Sequence, residues 1–358
     1  MNEDCLKLTT YFGERDRAGG RLLADDLLDV YGRHRLQASI LLRGTEGFGR
    51  LHHLHTDRLL SLSEDLPAVS VAVDSRERIE ALLGPVLERK QKGLVTLERA
   101  RLLSGEIGPV TLAQELDEAT KLTIYVGRQE RIGNRPAFVA VCDLLHRRGV
   151  AGGTVLLGVD GTRLGQRERA AFFSRNAEVP LMIIAVGAGD GIAAVLPELG
   201  QMLERPVMTL ERVRVCKRDG ELLARPHALP GTDEHGLAMW QKLMVYASEA
   251  ATVDGLALHL AIIRALRRSD AAGATTLRGL WGFHGAHAPH GDRFLQLRRH
   301  VPTVTVIVDT PEGIARSFEI VDSLTRRHGL VTSEMVPAMN ALSEHERRGG
   351  LRLARHDY

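Results

Sequence analysis

Apolar and polar residues alternate in three stretches of the chain, each in the same register. Val69, Val71 and Val73 share one parity, as do Met182, Ile184 and Val186, and Val304, Val306 and Val308. Period-two patterning of this kind predicts a half-buried strand, and each run opens on a proline: Pro67, Pro180 and Pro302. Helical spacing follows the first run at Ile79, Leu82, Leu83, Val86 and Leu87. It also precedes it at Leu23, Leu27, Val30 and Tyr31, matched in a second place by Phe138, Val141, Cys142 and Leu145. Further strands are predicted at residues 6–12, at 38–42 with counterparts at 154–157 and 274–277, and in closing runs such as Leu94-Val95-Thr96-Leu97-Glu98-Arg99.

These elements form one pattern repeated three times. Lys7, Gly44 and Pro67 recur as Lys121, Gly158 and Pro180 and as Lys242, Gly279 and Pro302, with lysine and glycine 37 positions apart in every copy. The closing runs recur too, as Val207-Met208-Thr209-Leu210-Glu211-Arg212 and Leu330-Val331-Thr332-Ser333-Glu334. A period of roughly 115 to 120 residues is too long for a solenoid and suits a whole small domain. The order strand, helix, strand, strand, helix, strand predicts an α+β fold of three tandem ferredoxin-like (βαββαβ) domains. Helices cover one face of such a sheet, so the open faces of the three copies are expected to pack on one another as an intrachain pseudo-trimer. The expected division is a first repeat at 1–104, a linker at 105–118, a divergent second repeat at 119–216, a linker at 217–236, a third repeat at 237–340 and an exposed, partly disordered tail at 341–358.

Composition changes this picture little. The chain has 358 residues, 44% hydrophobic and 26% charged, with a formal net charge of +2. That balance exerts no general pull toward nucleic acid or membranes, although the cations are 41 arginines against 6 lysines and local anion sites are compatible with them. Cys5, Cys142 and Cys216 are an odd number without close spacing, which suits a reducing cytoplasm and suggests neither a disulfide framework nor a thiolate zinc site. The acidic start Asn2-Glu3-Asp4 is unlike a signal peptide, and no apolar stretch approaches the roughly 20 residues of a membrane span. A cytoplasmic location is expected.

Arg43-Gly44-Thr45-Glu46-Gly47-Phe48-Gly49, with the later run Leu59 through Pro67 and the strand ending Val73-Asp74, resembles the PII-like family catalogued as domain of unknown function 190. Arg278-Gly279-Leu280-Trp281-Gly282-Phe283, Val301-Pro302 and Val308-Asp309 resemble it in the third copy. The second copy departs, with Leu157 in place of the arginine and Gly187 in place of the aspartate. The resemblance implies a PII-like trimer fold whose segment between the second and third strands is a mobile loop that engages partners. It implies small ligands, often adenine nucleotides, in clefts between neighbouring units. It also implies a membrane transporter or channel as partner, since genes of this family often lie near those of fluoride-channel proteins.

Several constellations carry chemistry. Gly44, Gly47 and Gly49 with Arg43 and Arg50 could cradle an anion, as could Arg278, Gly279 and Gly282, or they could form a flexible turn. Arg99 and Arg101 share a strand face and either reach a phosphate across a domain boundary or pair with interface carboxylates. His284, His287 and His290 could hold a divalent metal or belong to a solvated loop. Asp74 and Asp309 are placed to cap the helices that follow them. Gly187-Ala188-Gly189-Asp190-Gly191 lacks dinucleotide-site spacing, and no nucleophile, carboxylate pair or triad recurs between copies. The reading reached is a non-enzymatic signalling protein that binds a small, anionic ligand, adenine nucleotide favoured, in interdomain clefts. The alternatives are a metal-binding protein using the loop histidines and a ligand-free adaptor for a transporter. The chain is expected as a monomeric pseudo-trimer or a higher oligomer.

Overall fold

The computed structural model describes residues 2–49, 55–56, 65–90, 92–112, 119–169, 179–285, 288–291, 301–343 and 347–356. Apart from two-residue ladders, the first repeat contains β1 (Asn2–Gly13), α1 (Leu23–Arg33), β2 (Ala38–Phe48), β3 (Pro67–Ser75), α2 (Arg76–Arg89) and β4 (Gly93–Ser104). The second contains β5 (Thr120–Gly127), α3 (Ala137–Arg147), β6 (Gly152–Leu157), β7 (Asp160–Arg163), β8 (Gln166–Arg169), β9 (Pro180–Gly187), α4 (Gly189–Met202) and β10 (Val207–Arg212). After β11 (Arg214–Arg218) the third has β12 (Trp240–Ser248), α5 (Leu258–Arg268), β13 (Ala274–His284), β14 (Pro302–Asp309), α6 (Pro311–Leu324) and β15 (Leu330–Val336), followed by β16 (Ala338–Leu342) and β17 (Arg347–Gly350).

Each repeat arranges its four main strands identically and antiparallel. The orders are β2-β3-β1-β4, β6-β9-β5-β10 and β13-β14-β12-β15. The first helix of each repeat turns its apolar stripe onto one face of its sheet: Leu27, Val30 and Tyr31 on α1, and Val141, Cys142 and Leu145 on α3, are all buried. Each repeat thus has its own helix-and-sheet core. The other sheet faces meet in a fourth core shared by all three repeats, which contains Val69, Val71, Val73, Met182, Ile184, Val186 and the matching valines of β14. The alternating strands are therefore buried on both faces, one by their own helices and one by the neighbouring repeats.

Strands extend past their own repeat into the next. The end of β4 pairs with β10, β11 pairs with β15, and β16 returns to pair with β4, so the closing edges hand over from first to second to third to first repeat. The segment after the second strand does the same in the other direction. Gly44–Phe48 of β2 pairs with β13, the end of β13 pairs with β6, and β7 pairs with the start of β2. The glycine-rich stretch expected as loop thus begins as strand, because its backbone groups find partners on a neighbouring sheet edge.

The described part of the tail is mostly exposed or half-buried but is tied to the body: β17 pairs with β16, Ala354 is buried and its amide donates to Pro337 O, and Arg99 donates to Ala354 O at 2.8 Å. No described helix is long and apolar enough to cross a membrane.

Candidate functional site

The repeated glycines and prolines touch. A Cβ on Gly44 would lie 2.6 Å from the Pro67 ring, and one on Gly279 would lie 2.6 Å from the Pro302 ring. The next glycine faces a neighbouring repeat: a Cβ on Gly47 would lie 2.9 Å from Ala274 O, and one on Gly282 would lie 2.4 Å from Gly153 O. Both separations are shorter than real Cβ contacts, so glycine is required where one strand crosses the backbone of the next repeat. Gly44, Gly279 and Gly282 are thus positions where close packing leaves no room for a side chain.

The motif arginines are engaged by carboxylates of their own repeats. Arg43 Nη2 lies 2.6 Å from Glu14, and Arg278 Nη2 lies 2.9 Å from Glu249, the same position one strand earlier in each copy. Arg101 is half-buried on β4. Arg50 and His287 lie outside the described residues. His284 Nδ1 lies 3.7 Å from Asp219, and His290 Nδ1 is 2.9 Å from Ala288 O. Asp74 and Asp309 do not cap helices. They accept the amides of Gln37 and Ala272, tying the turn before the second strand to the end of the third, while Thr310 caps α6.

Two features lie where the repeats meet. The first is a cleft of about 370 Å³ between the first and third repeats. Tyr11, Val306, Val308 and Met339 give it an apolar lining, and Gly47 and Gly49 bring backbone to its edge. Its charged lining is mixed: Lys92 and Arg348 are positive, and Asp16, Asp65 and Asp309 are negative; Lys92 pairs with Asp16 at 2.9 Å, and Arg348 lies over the Trp240 ring at 5.2 Å. Behind the wall, buried Lys90 donates to Tyr11 O and Lys92 O, both at 2.8 Å.

The second feature is a buried ring of alternating charge. Lys7 bridges Glu98 (2.8 Å) and Glu211, Lys121 bridges Glu211 (3.0 Å) and Glu334 (2.5 Å), and Lys242 bridges Glu334 (3.2 Å) and Glu98. Every lysine thus joins its own repeat to a neighbour, and all six side chains are buried. Burial opposes the charge on Lys7, but Glu211 and Glu98 hold its ammonium well above the ordinary lysine range. Burial likewise opposes ionisation of Glu98, and Lys242 and Lys7 overcome it and hold the carboxyl below its usual range. The three carboxylates present oxygens within 4.8 Å of one another, a candidate site for a divalent cation.

Sequence reasoning anchored the repeat on these same lysines and on the closing-strand glutamates without pairing them. Their recurrence in every copy was the signal, since strand parity turns both toward the shared core.

The second copy uses its motif region differently. Buried Asp160 on β7 accepts Arg167 of β8 at 2.5 Å, and Arg167 and Arg169 in turn reach Asp29 and Asp25 of α1. The β7–β8 hairpin is therefore clamped onto the first repeat.

A family model, DUF190, described as an uncharacterized ACR, matches residues 5–102, 119–215 and 240–338.

Proposed function

The chain belongs to the DUF190 family in three tandem copies, and from that premise we propose a PII-like regulatory protein that binds a small anionic ligand of the nucleotide class between its first and third repeats. The cleft carries this reading. Its volume of about 370 Å³ lies in the range of small-molecule sites, with apolar walls for a flat ring and, beside the Lys92–Asp16 pair, Arg348 for a negative group. The three identical strand orders, with their open faces turned inward, support ferredoxin-like domains in a pseudo-trimer behind the cleft. The clamped hairpin of the second copy supports inequivalent interfaces, with one preferred site. The role is binding rather than catalysis, in the cytoplasm, with a transporter or channel as the kind of partner.

The test is calorimetric titration and thermal shift of the full chain with ATP, ADP, AMP and adenosine. A ligand at 100 times its dissociation constant adds about 2.7 kcal/mol of stability. Gly49 lines the cleft and a Cβ there meets nothing within 4 Å, so Gly49→Leu adds bulk at the cleft without a clash and should weaken binding while leaving the melting temperature of the free protein unchanged. Binding unchanged by this substitution would place the ligand elsewhere.

One observation favours a second reading, a protein that holds a metal: the mutual approach of Glu98, Glu211 and Glu334. The lysine ammoniums already neutralise these carboxylates, so a divalent ion must compete with them for the same oxygens. Elemental analysis of the full chain after chelation and reloading with zinc or manganese decides it. One tightly held equivalent, lost in Glu211→Gln, would establish the cation; background levels of metal would exclude it.

A further inference from the structure

We infer that the C-terminal hairpin, β16 and β17, is the wall of the cleft that selects the ligand, with Arg348 contacting its anionic group. The inference rests on the ligand-cleft reading.

The hairpin follows the third repeat in sequence but pairs with β4 of the first, so it closes the cleft by joining the two repeats that form it. Its register sets Leu94, Ala341 and Arg348 in one row across three strands. Lys92, which also lines the cleft, lies two residues before Leu94. The states of the two cations differ. Lys92 is neutralised by Asp16, whereas Arg348, among the described residues, has no carboxylate partner and rests on the face of Trp240.

The stacking is built into the hairpin. Gly349 has φ of +82°, and a Cβ there would lie 2.1 Å from Met339 O and 3.0 Å from Trp240 Cζ2. Backbone pressed this closely on the indole holds the neighbouring guanidinium over the ring, which is only 3% exposed. A cation–π contact leaves the planar edge of a guanidinium able to donate, and that edge fits a phosphate or carboxylate with two parallel hydrogen bonds. Arg348 is therefore oriented but not neutralised. The ligand class that fits is a flat ring carrying an anionic group, and Arg348 distinguishes it from the same ring without one.

The chain has two tryptophans, so Trp281→Phe leaves Trp240 as the only indole and makes its fluorescence a direct readout of the stack. In that background the full chain is titrated with ATP and with adenosine. ATP is expected to shift the emission of Trp240, and Arg348→Ala is expected to weaken ATP by about tenfold or more while leaving adenosine unchanged. Arg348→Lys should fall between, since it keeps the charge and loses the planar fork. Unchanged ATP affinity in R348A would overturn the inference and leave the cleft reading intact. If the unaltered chain binds neither compound, the cleft reading falls and takes the inference with it. Should R348A fail to fold, R348K with the same ATP-against-adenosine comparison decides.

Discussion

Lys90 shows what burial does to a single side chain here. Its ammonium has two carbonyl acceptors at 2.8 Å, and Asp16 favours its charge. Desolvation outweighs these, and its pKa is lowered to about 7. The group therefore binds a proton less readily folded than unfolded. Between about 7 and the ordinary value of 10.5 the unfolded chain holds more protons, so this residue makes stability rise with pH, by up to about 1.4 kcal/mol per pH unit. Below pH 7 its cost is present in full. Urea midpoints of wild type and Lys90→Met from pH 6 to 9 should show the stability advantage of the variant over wild type shrinking as pH rises. A pH-independent difference would mean that Lys90 titrates alike in both states. The same residue scale explains the recurring glycines: Gly44 and Gly279 repeat because proline rings lie where their side chains would be.

At the scale of elements, much was legible because local pattern and final environment agree. The alternation in β3, β9 and β14 and the helical stripes of α1 and α3 announced strands and helices that the structure contains. What the sequence left hidden was long-range. Nothing in residues 44–48 or 279–284 distinguishes a loose glycine turn from a strand, because the partner edge lies in another repeat and the pairing residues are small. The same holds for the start of the tail, where Arg347–Gly350 pairs with β16. The candidate site was legible only in part. Gly47 and Gly49 line the cleft, whereas Arg43 and Arg278 are held by Glu14 and Glu249, residues too far away in sequence to be read as partners. Arg348 carried no motif, and the Trp240 ring it lies over is more than a hundred residues earlier.

At the scale of the whole molecule, the strand handovers and the charged ring make the three repeats one cooperative body. Each carboxylate of the ring is shared by two lysines from different repeats, so no repeat can leave without stripping charges of their partners. A buried ion pair adds little relative to a well-packed apolar substitute, but breaking one strands a charge in the interior at about 3–5 kcal/mol. Lys7→Met should therefore lose stability of that order, and the loss should appear as a lower midpoint of one transition rather than as early melting of the first repeat alone. Adding Glu211→Gln restores neutrality, so the double variant should lose less than the sum of the two single changes. Scanning calorimetry of the four proteins measures both effects. Separate transitions for separate repeats, or strictly additive losses, would show that the ring does not couple them. The chain would then be three neighbouring domains, with the cleft between the first and third free to open independently of the core.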